Sequence, residues 1–243
     1  MQSKFESYLK DNFPYLIKER CIICCSGGVD SIVLFHLMLS VNKNIIVAHC
    51  NFKLRGVESD KDEEFVKKLS EENSIKFHSK SFDTKKIKEY SNNSIQMIAR
   101  DLRYEFFDKI SNELKINHIL TAHHLNDSLE SFIINLSRGS GLDGLTGVPM
   151  LNGKIKRPLI DFEKKEIIDY AKNKNLRWRE DSSNNSNSYL RNKVRNNIIN
   201  DLEDLEGNFF KNFKKTIKYL KMSNSLIYER INQIKADLLK NEE

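Results

Sequence analysis

Apolar residues follow two rhythms along this chain. Short continuous runs, Cys21-Ile22-Ile23-Cys24-Cys25, Ile45-Ile46-Val47-Ala48 and Ile119-Leu120-Thr121-Ala122, stand between polar stretches. Runs without alternation predict strands covered on both faces, the habit of a parallel sheet. Between them the spacing turns helical. It does so from Ile32 to Leu39, at Phe65, Val66 and Leu69 in the charged stretch from Ser59, and over about 95–114, where Ile98, Leu102, Phe106 and Ile110 recur every four residues. Leu129, Phe132, Ile133 and Leu136 mark another helix. Residues 3–18 predict a lead-in helix with Phe5, Leu9 and Phe13 on one face, interrupted at Pro14. Ile75 to His78 gives a weak third strand, 155–162 a further one before Pro158, and 163–174 a helix. From about 209, Phe209, Phe213, Ile217 and Leu220 share one face. After Ser223-Asn224-Ser225, Leu226 or Ile227, Ile231, Ile234 and Leu238 share another, which predicts a helical hairpin.

Strands that each feed a helix through a polar loop predict an α/β fold: an open, mostly parallel sheet with helices on both faces, plus a small C-terminal helical hairpin. The expected division is 1–200 and 201–243. Ligands of such sheets sit beyond the carboxyl ends of the strands. Ser26–Ser31, His49–Arg55 and His123–Asp127 are therefore expected to meet at one rim.

Composition sharpens this only locally. The 243 residues carry a formal net charge of +6. Between Phe209 and Lys240 stand eight Lys/Arg against two Asp/Glu, an excess as large as that of the whole chain. A basic helical appendage beside a nucleotide-binding domain suits an enzyme that holds RNA. Arg191-Asn192-Lys193-Val194-Arg195, just after the polar linker-like stretch 181–187, could anchor a phosphate backbone. The four cysteines, Cys21, Cys24, Cys25 and Cys50, lack the second pair that a zinc site would need and read as small buried hydrophobes in a reducing compartment. No stretch resembles a signal peptide or a membrane span, so a cytoplasmic protein without membrane contact is expected.

The candidate chemistry gathers at Ser26-Gly27-Gly28-Val29-Asp30-Ser31, which joins the first strand to the first core helix. Adjacent glycines let backbone approach a ligand, and first-turn N–H groups favour anionic oxygens. Ser26 and Ser31 offer hydroxyls. Asp30 offers the carboxylate that Mg²⁺ on a polyphosphate needs. No lysine follows the glycines, so this is not a Walker A loop.

That six-residue loop resembles the signature of the PP-loop ATP pyrophosphatases, which split ATP into AMP and pyrophosphate and adenylate a carbonyl oxygen. Within that class the chain resembles the tRNA(Ile)-lysidine synthases. The resemblance rests on His49–Arg55, Ala99–Tyr104, His123–Asp127 running on to Arg138-Gly139-Ser140-Gly141-Leu142-Asp143-Gly144-Leu145, and Trp178–Asn184 leading to Arg191, Asn192 and Arg195. One departure is Asn126, where the family commonly has an acid; Asn is a poorer Mg²⁺ ligand. The end at 243 suggests a minimal form with less tRNA surface than larger relatives.

The resemblance implies ATP and Mg²⁺ as cofactors. It implies free L-lysine and the CAU-anticodon isoleucine tRNA as substrates, and it leaves a homodimer open. It further implies Ser26, Gly27, Gly28, Val29, Asp30, Ser31 and His49 at the nucleotide and Asp30 with Asp127 on the metal. Asp30, Asp127, His123, Arg100 and Arg103 would then serve catalysis, and Arg55, Arg138, Arg191, Lys193 and Arg195 the tRNA. The alternatives are a PP-loop tRNA 2-thiolase and an inactive tRNA-binding relative.

Overall fold

The computed structural model describes residues 1–180, 190–205 and 207–240. The polar stretch read as a linker, 181–187, lies outside the described residues. The strands are β1 (Cys21–Cys24), β2 (Ile45–Asn51), β3 (Lys76–Ser81), β4 (Ile119–Leu120), β5 (Leu151–Asn152) and β6 (Ile155–Lys156). The helices are α1 (Gln2–Asn12), α2 (Val29–Val41), α3 (Val57–Glu72), α4 (Thr84–Glu89), α5 (Ile95–Leu114), α6 (Leu125–Ser137), α7 (Lys164–Asn173), α8 (Leu190–Lys193), α9 (Ile199–Leu205) and α10 (Phe209–Lys240). They pack as two compact units. The first holds residues 1–123 with 150–180, the second 124–149 with the described residues from 190 onward.

The first unit contains the whole sheet, in the order β3-β2-β1-β4-β6-β5. Every pairing is parallel except the β5–β6 hairpin. The unbroken apolar runs follow from burial on both faces. In β2, Ile45 and Val47 join a core with Phe5, Leu9, Leu34, Leu37, Leu159 and Phe162, while Ile46 and Ala48 join another with Phe106, Ile110 and Ile119. At about 1.5–3 kcal/mol per buried aliphatic side chain, a polar residue anywhere in β2 would weaken one of the two layers. α5 spans the residues its four-residue repeat predicts. Ser94 Oγ accepts the Met97 N–H at 3.2 Å to start it, and Lys115 at φ 54 ends it. The strand expected before Pro158 is only two residues long, and its partner β5 is too short to carry any periodicity. Similarly, the lead-in helix stops at Asn12, and Pro14 opens a 3-10 turn to Ile17.

The second unit is helical. Leu125 and Leu129 of α6 pack with Val194, Ile199, Phe213 and Ile217, and the rings of Phe132 and Phe213 lie 5.6 Å apart. α6 thus packs with the C-terminal helices in this second unit. α10 is helical as expected, but it is one helix of 32 residues, not a hairpin. Ser223, Asn224 and Ser225 each cost only a few tenths of a kcal/mol relative to Ala, and neither Gly nor Pro is present to break the turn. Asn224 is also engaged: its amide donates to Asp143 Oδ1 at 2.8 Å, and the Tyr228 hydroxyl donates to Asp143 Oδ2 at 2.7 Å. These bonds tie the glycine-rich segment after α6 to α10. No helix among the described residues is long and apolar enough to cross a membrane.

Candidate active site

The loop between β1 and α2 is shaped by its glycines and one serine. Gly27 has φ +92, a backbone conformation that calls for glycine, while a Cβ there would sit in ordinary contact with Val66 Cγ2 at 3.4 Å. Its carbonyl accepts the Arg179 N–H at 2.9 Å. Gly28 begins α2 in an extended conformation and has no side chain to cap the helix. A bound anion would serve those first-turn N–H groups. The Ser31 hydroxyl donates to the Gly28 carbonyl at 2.8 Å, accepts the Ser26 N–H at 3.2 Å and lies 3.3 Å from Ser26 Oγ. Ser31 is buried, so its hydroxyl proton holds the loop closed; Ser26 is the exposed hydroxyl.

Since β1 pairs in parallel with both β2 and β4, three segments share one edge of the first unit: this loop, the end of β2, and His123 after β4. His49 is buried there, and its Nδ1–H donates to the Cys25 carbonyl at 2.8 Å. It therefore supports the backbone leading into the loop. His123 Nδ1 lies 2.9 Å from Thr121 Oγ1. Asp30 Oδ1 receives Lys164 Nζ at 2.6 Å, a partner 134 residues away at the start of α7. Arg55, expected at tRNA, donates to the buried carboxylate of Asp62 at 2.6 Å, while Arg179 Nε reaches its other oxygen at 2.9 Å. That arrangement links the segment after β2 to the strand of chain that also binds Gly27. Of the two exposed arginines on α5, Arg103 lies over the Phe52 ring at 5.4 Å, just past β2, whereas Arg100 stacks on Tyr104 of its own helix at 5.0 Å. Arg103 is thus the one turned toward the β2 end.

Burial lowers the His49 pKa, partly opposed by its bond to Cys25 and by Glu63 and Asp62. Burial likewise lowers His36 and His78, helped by Lys174 and Lys76 respectively. A histidine whose folded pKa lies below its unfolded value stabilises the fold fully above the unfolded pKa of about 6.5, and less as pH falls below it. Urea midpoints are expected to drop between pH 7.5 and pH 5.5. The drop should be smaller in His49→Gln; an equal drop would remove His49 from the linkage.

In the second unit, the His124 N–H donates to Asp127 Oδ2 at 2.9 Å at the start of α6, while the Asp127 N–H donates to the His124 carbonyl at 3.0 Å. Asp127 Oδ1 lies 3.7 Å from Arg195 Nη2 and 3.9 Å from Arg191 Nη2. Both arginines also clasp Glu130, a fully buried carboxylate: Arg195 Nε donates to Oε1 at 2.6 Å and Arg191 Nε to Oε2 at 2.7 Å. Arg191 and Arg195, expected on tRNA phosphates, are thus built into the cluster behind Asp127. Lys193 and Arg138 are exposed. Lys164, Asp62 and Glu130 were not singled out as site residues from sequence. Lys164 and Asp62 are each one charged residue among several on their helices, and the burial of Glu130, one of two charged residues on α6, has no local pattern to mark it.

A family model described as a PP-loop domain matches residues 1–202. The tRNA(Ile)-lysidine synthase of Chlorobaculum tepidum is 41% identical over 187 residues, covering 75% of this chain and 56% of that protein. That of Bacteroides thetaiotaomicron is 33% identical over 239 residues, covering 98% of this chain and again 56% of the relative. The chain thus spans about half the length of the curated relatives it matches. Among solved structures, the U34-tRNA thiolase NcsA from Methanococcus maripaludis with its [4Fe-4S] cluster superposes with a TM-score of 0.71 at 19% identity, covering 90% of this chain and 77% of that one. At that identity the likeness concerns the fold.

Proposed function

The chain belongs to the PP-loop domain family, and from that premise we propose that it ligates free lysine to C2 of the wobble cytidine, position 34, of the CAU-anticodon isoleucine tRNA. ATP adenylates the C2 carbonyl oxygen and releases pyrophosphate. The ε-amine of lysine then attacks C2 and displaces AMP, leaving lysidine. The PP-loop part of the chain would run this chemistry, and the basic helix α10 (Phe209–Lys240) would help hold the tRNA in the cytoplasm.

The observation that carries the reading is the loop. Gly27 is held at a positive φ that disfavours any side chain, next to a helix start that no side chain caps and an acid in its first turn. This arrangement fits a polyphosphate. It fits Mg²⁺ as well, because that ion is usually held by one or two carboxylates plus phosphate oxygens. Asp30 is the proposed ligand on the loop, and the ion would supply neutralisation of the departing pyrophosphate. Arg103, Arg100 and His123 are proposed to steady charge developing on the activated base, while His49 supports the loop from below. The thiols speak against sulfur delivery. Burial raises Cys50 to about 12 and Cys24 well above its ordinary value, so both stay protonated and weakly nucleophilic at neutral pH.

The test supplies ATP, Mg²⁺ and labelled lysine with either the isoleucine tRNA or the methionine tRNA of the same anticodon. The expected result is lysine-dependent AMP release and label on the isoleucine tRNA alone. Lysine-independent modification, or none, would overturn the proposal. Among the basic residues, exposed Lys193 is the cleaner phosphate contact. Lys193→Ala is expected to lower the slope of log K against log salt by roughly 0.7–0.9 without changing ATP affinity, as measured by filter binding across a salt series.

A further inference from the structure

The loop lacks the lysine that many phosphate-binding loops carry, yet the fold delivers one to it. Lys164 is the first residue of α7, and its Nζ lies 2.6 Å from Asp30 Oδ1 in the first turn of α2. Both side chains are about one-third exposed. We infer that Lys164 is a polyphosphate-binding residue of this site. It neutralises Asp30 while the site is empty and turns to the phosphates once a divalent cation takes Asp30. The inference rests on the proposed nucleotide site, and its test separates the two.

The argument is one of charge. A carboxylate at the head of α2 is already favoured by the helix dipole, so Asp30 does not need a lysine to be stable there. A partly exposed ion pair also adds little to folding. What the pair does change is the field at the loop. A bare Asp30 would repel an arriving triphosphate, whereas a paired one presents no net charge, and the uncapped N–H groups of α2 then set the sign. When a cation binds the carboxylate, cation and ammonium repel each other. The flexible four-carbon stem then lets Nζ move to the acceptors that arrive with the cation. Lysine suits this exchange because it acts on phosphate as a mobile point charge.

If Lys164 merely shielded Asp30, its loss would expose a better cation ligand, and MgATP would bind as well as before or more tightly. If it binds phosphate, the opposite follows. Titration calorimetry on the full chain, with ATP plus Mg²⁺, ATP plus EDTA, and AMP, distinguishes these outcomes. Lys164→Met is expected to weaken MgATP roughly tenfold or more, the scale of one charged hydrogen bond, and to leave AMP within about twofold. Lys164→Arg should recover most of the loss. Asp30→Asn should bind metal-free ATP more tightly than the wild type, because it releases Lys164, and the double variant should lose that gain. Unchanged or tighter MgATP binding by Lys164→Met would overturn the inference, as would equal losses for ATP and AMP. A wild-type chain that binds no ATP at all would instead overturn the nucleotide site itself.

Discussion

Asp30→Asn is expected to reduce pyrophosphate release from ATP by about a thousandfold while the protein stays folded. The substitution keeps the volume and the hydrogen-bonding reach of the side chain but removes the negative charge proposed to hold Mg²⁺. Removing one electrostatic contact to a transition state typically costs about 10²–10³ in rate, and loss of a metal ligand belongs at the upper end. The cost to folding is small by comparison. A carboxylate at a helix start contributes about 0.3–1 kcal/mol, and the pair with Lys164, partly exposed, about 0–1 kcal/mol. A coupled pyrophosphate assay and a urea titration should therefore part company, with turnover gone and the midpoint shifted little. Turnover within tenfold of the wild type would remove Asp30 from the metal site. A collapse of the midpoint would mean that the Lys164 pair holds α7 in place.

Much of the frame that carries Asp30 was legible beforehand. β1, β2 and β4 are buried on both faces or nearly so, and burial on both faces writes itself into the chain as unbroken apolar runs. α5 shows every fourth residue because one face meets the sheet. The loop was legible because two glycines and an acid at a strand–helix junction have few other uses. The partners were not. Lys164 meets Asp30, and Arg179 meets both Gly27 and Asp62, across more than a hundred residues of chain. Pairing at that distance is decided by how α7 and the segment after it return to the sheet, and no local period records it. The continuity of α10 is hidden in the sequence for a different reason. Ser-Asn-Ser is a common turn composition, but in a helix those residues cost little, and the bonds of Asn224 and Tyr228 to Asp143 come from outside the helix.

Glu130 is where that blind spot matters most. Glu130→Ala is expected to cost about 1.5–3 kcal/mol, the scale of lost hydrogen bonds to a charged group and below that of a fully buried ion pair, because Arg191 and Arg195 stay partly exposed and water can reach them. The carboxylate has no exposed surface, and it fixes Arg191 and Arg195 through two short bonds. Without it, two guanidinium groups lose the carboxylate they share beside Asp127. Glu130→Gln should rescue little, because an amide has one acceptor oxygen and turns a donor toward the second arginine. Arg191→Ala or Arg195→Ala should each cost less, since Glu130 keeps its other arginine. Urea denaturation of the four variants gives the ranking, and a Glu130→Ala loss under about 1 kcal/mol would show that the cluster holds nothing together. Replacing Glu130, Arg191 and Arg195 together by apolar residues of similar volume should restore most of the stability, as buried ion clusters often allow. If turnover stays lost in that variant, the cluster serves the reaction by steering Asp127; if turnover returns with stability, its part is structural alone.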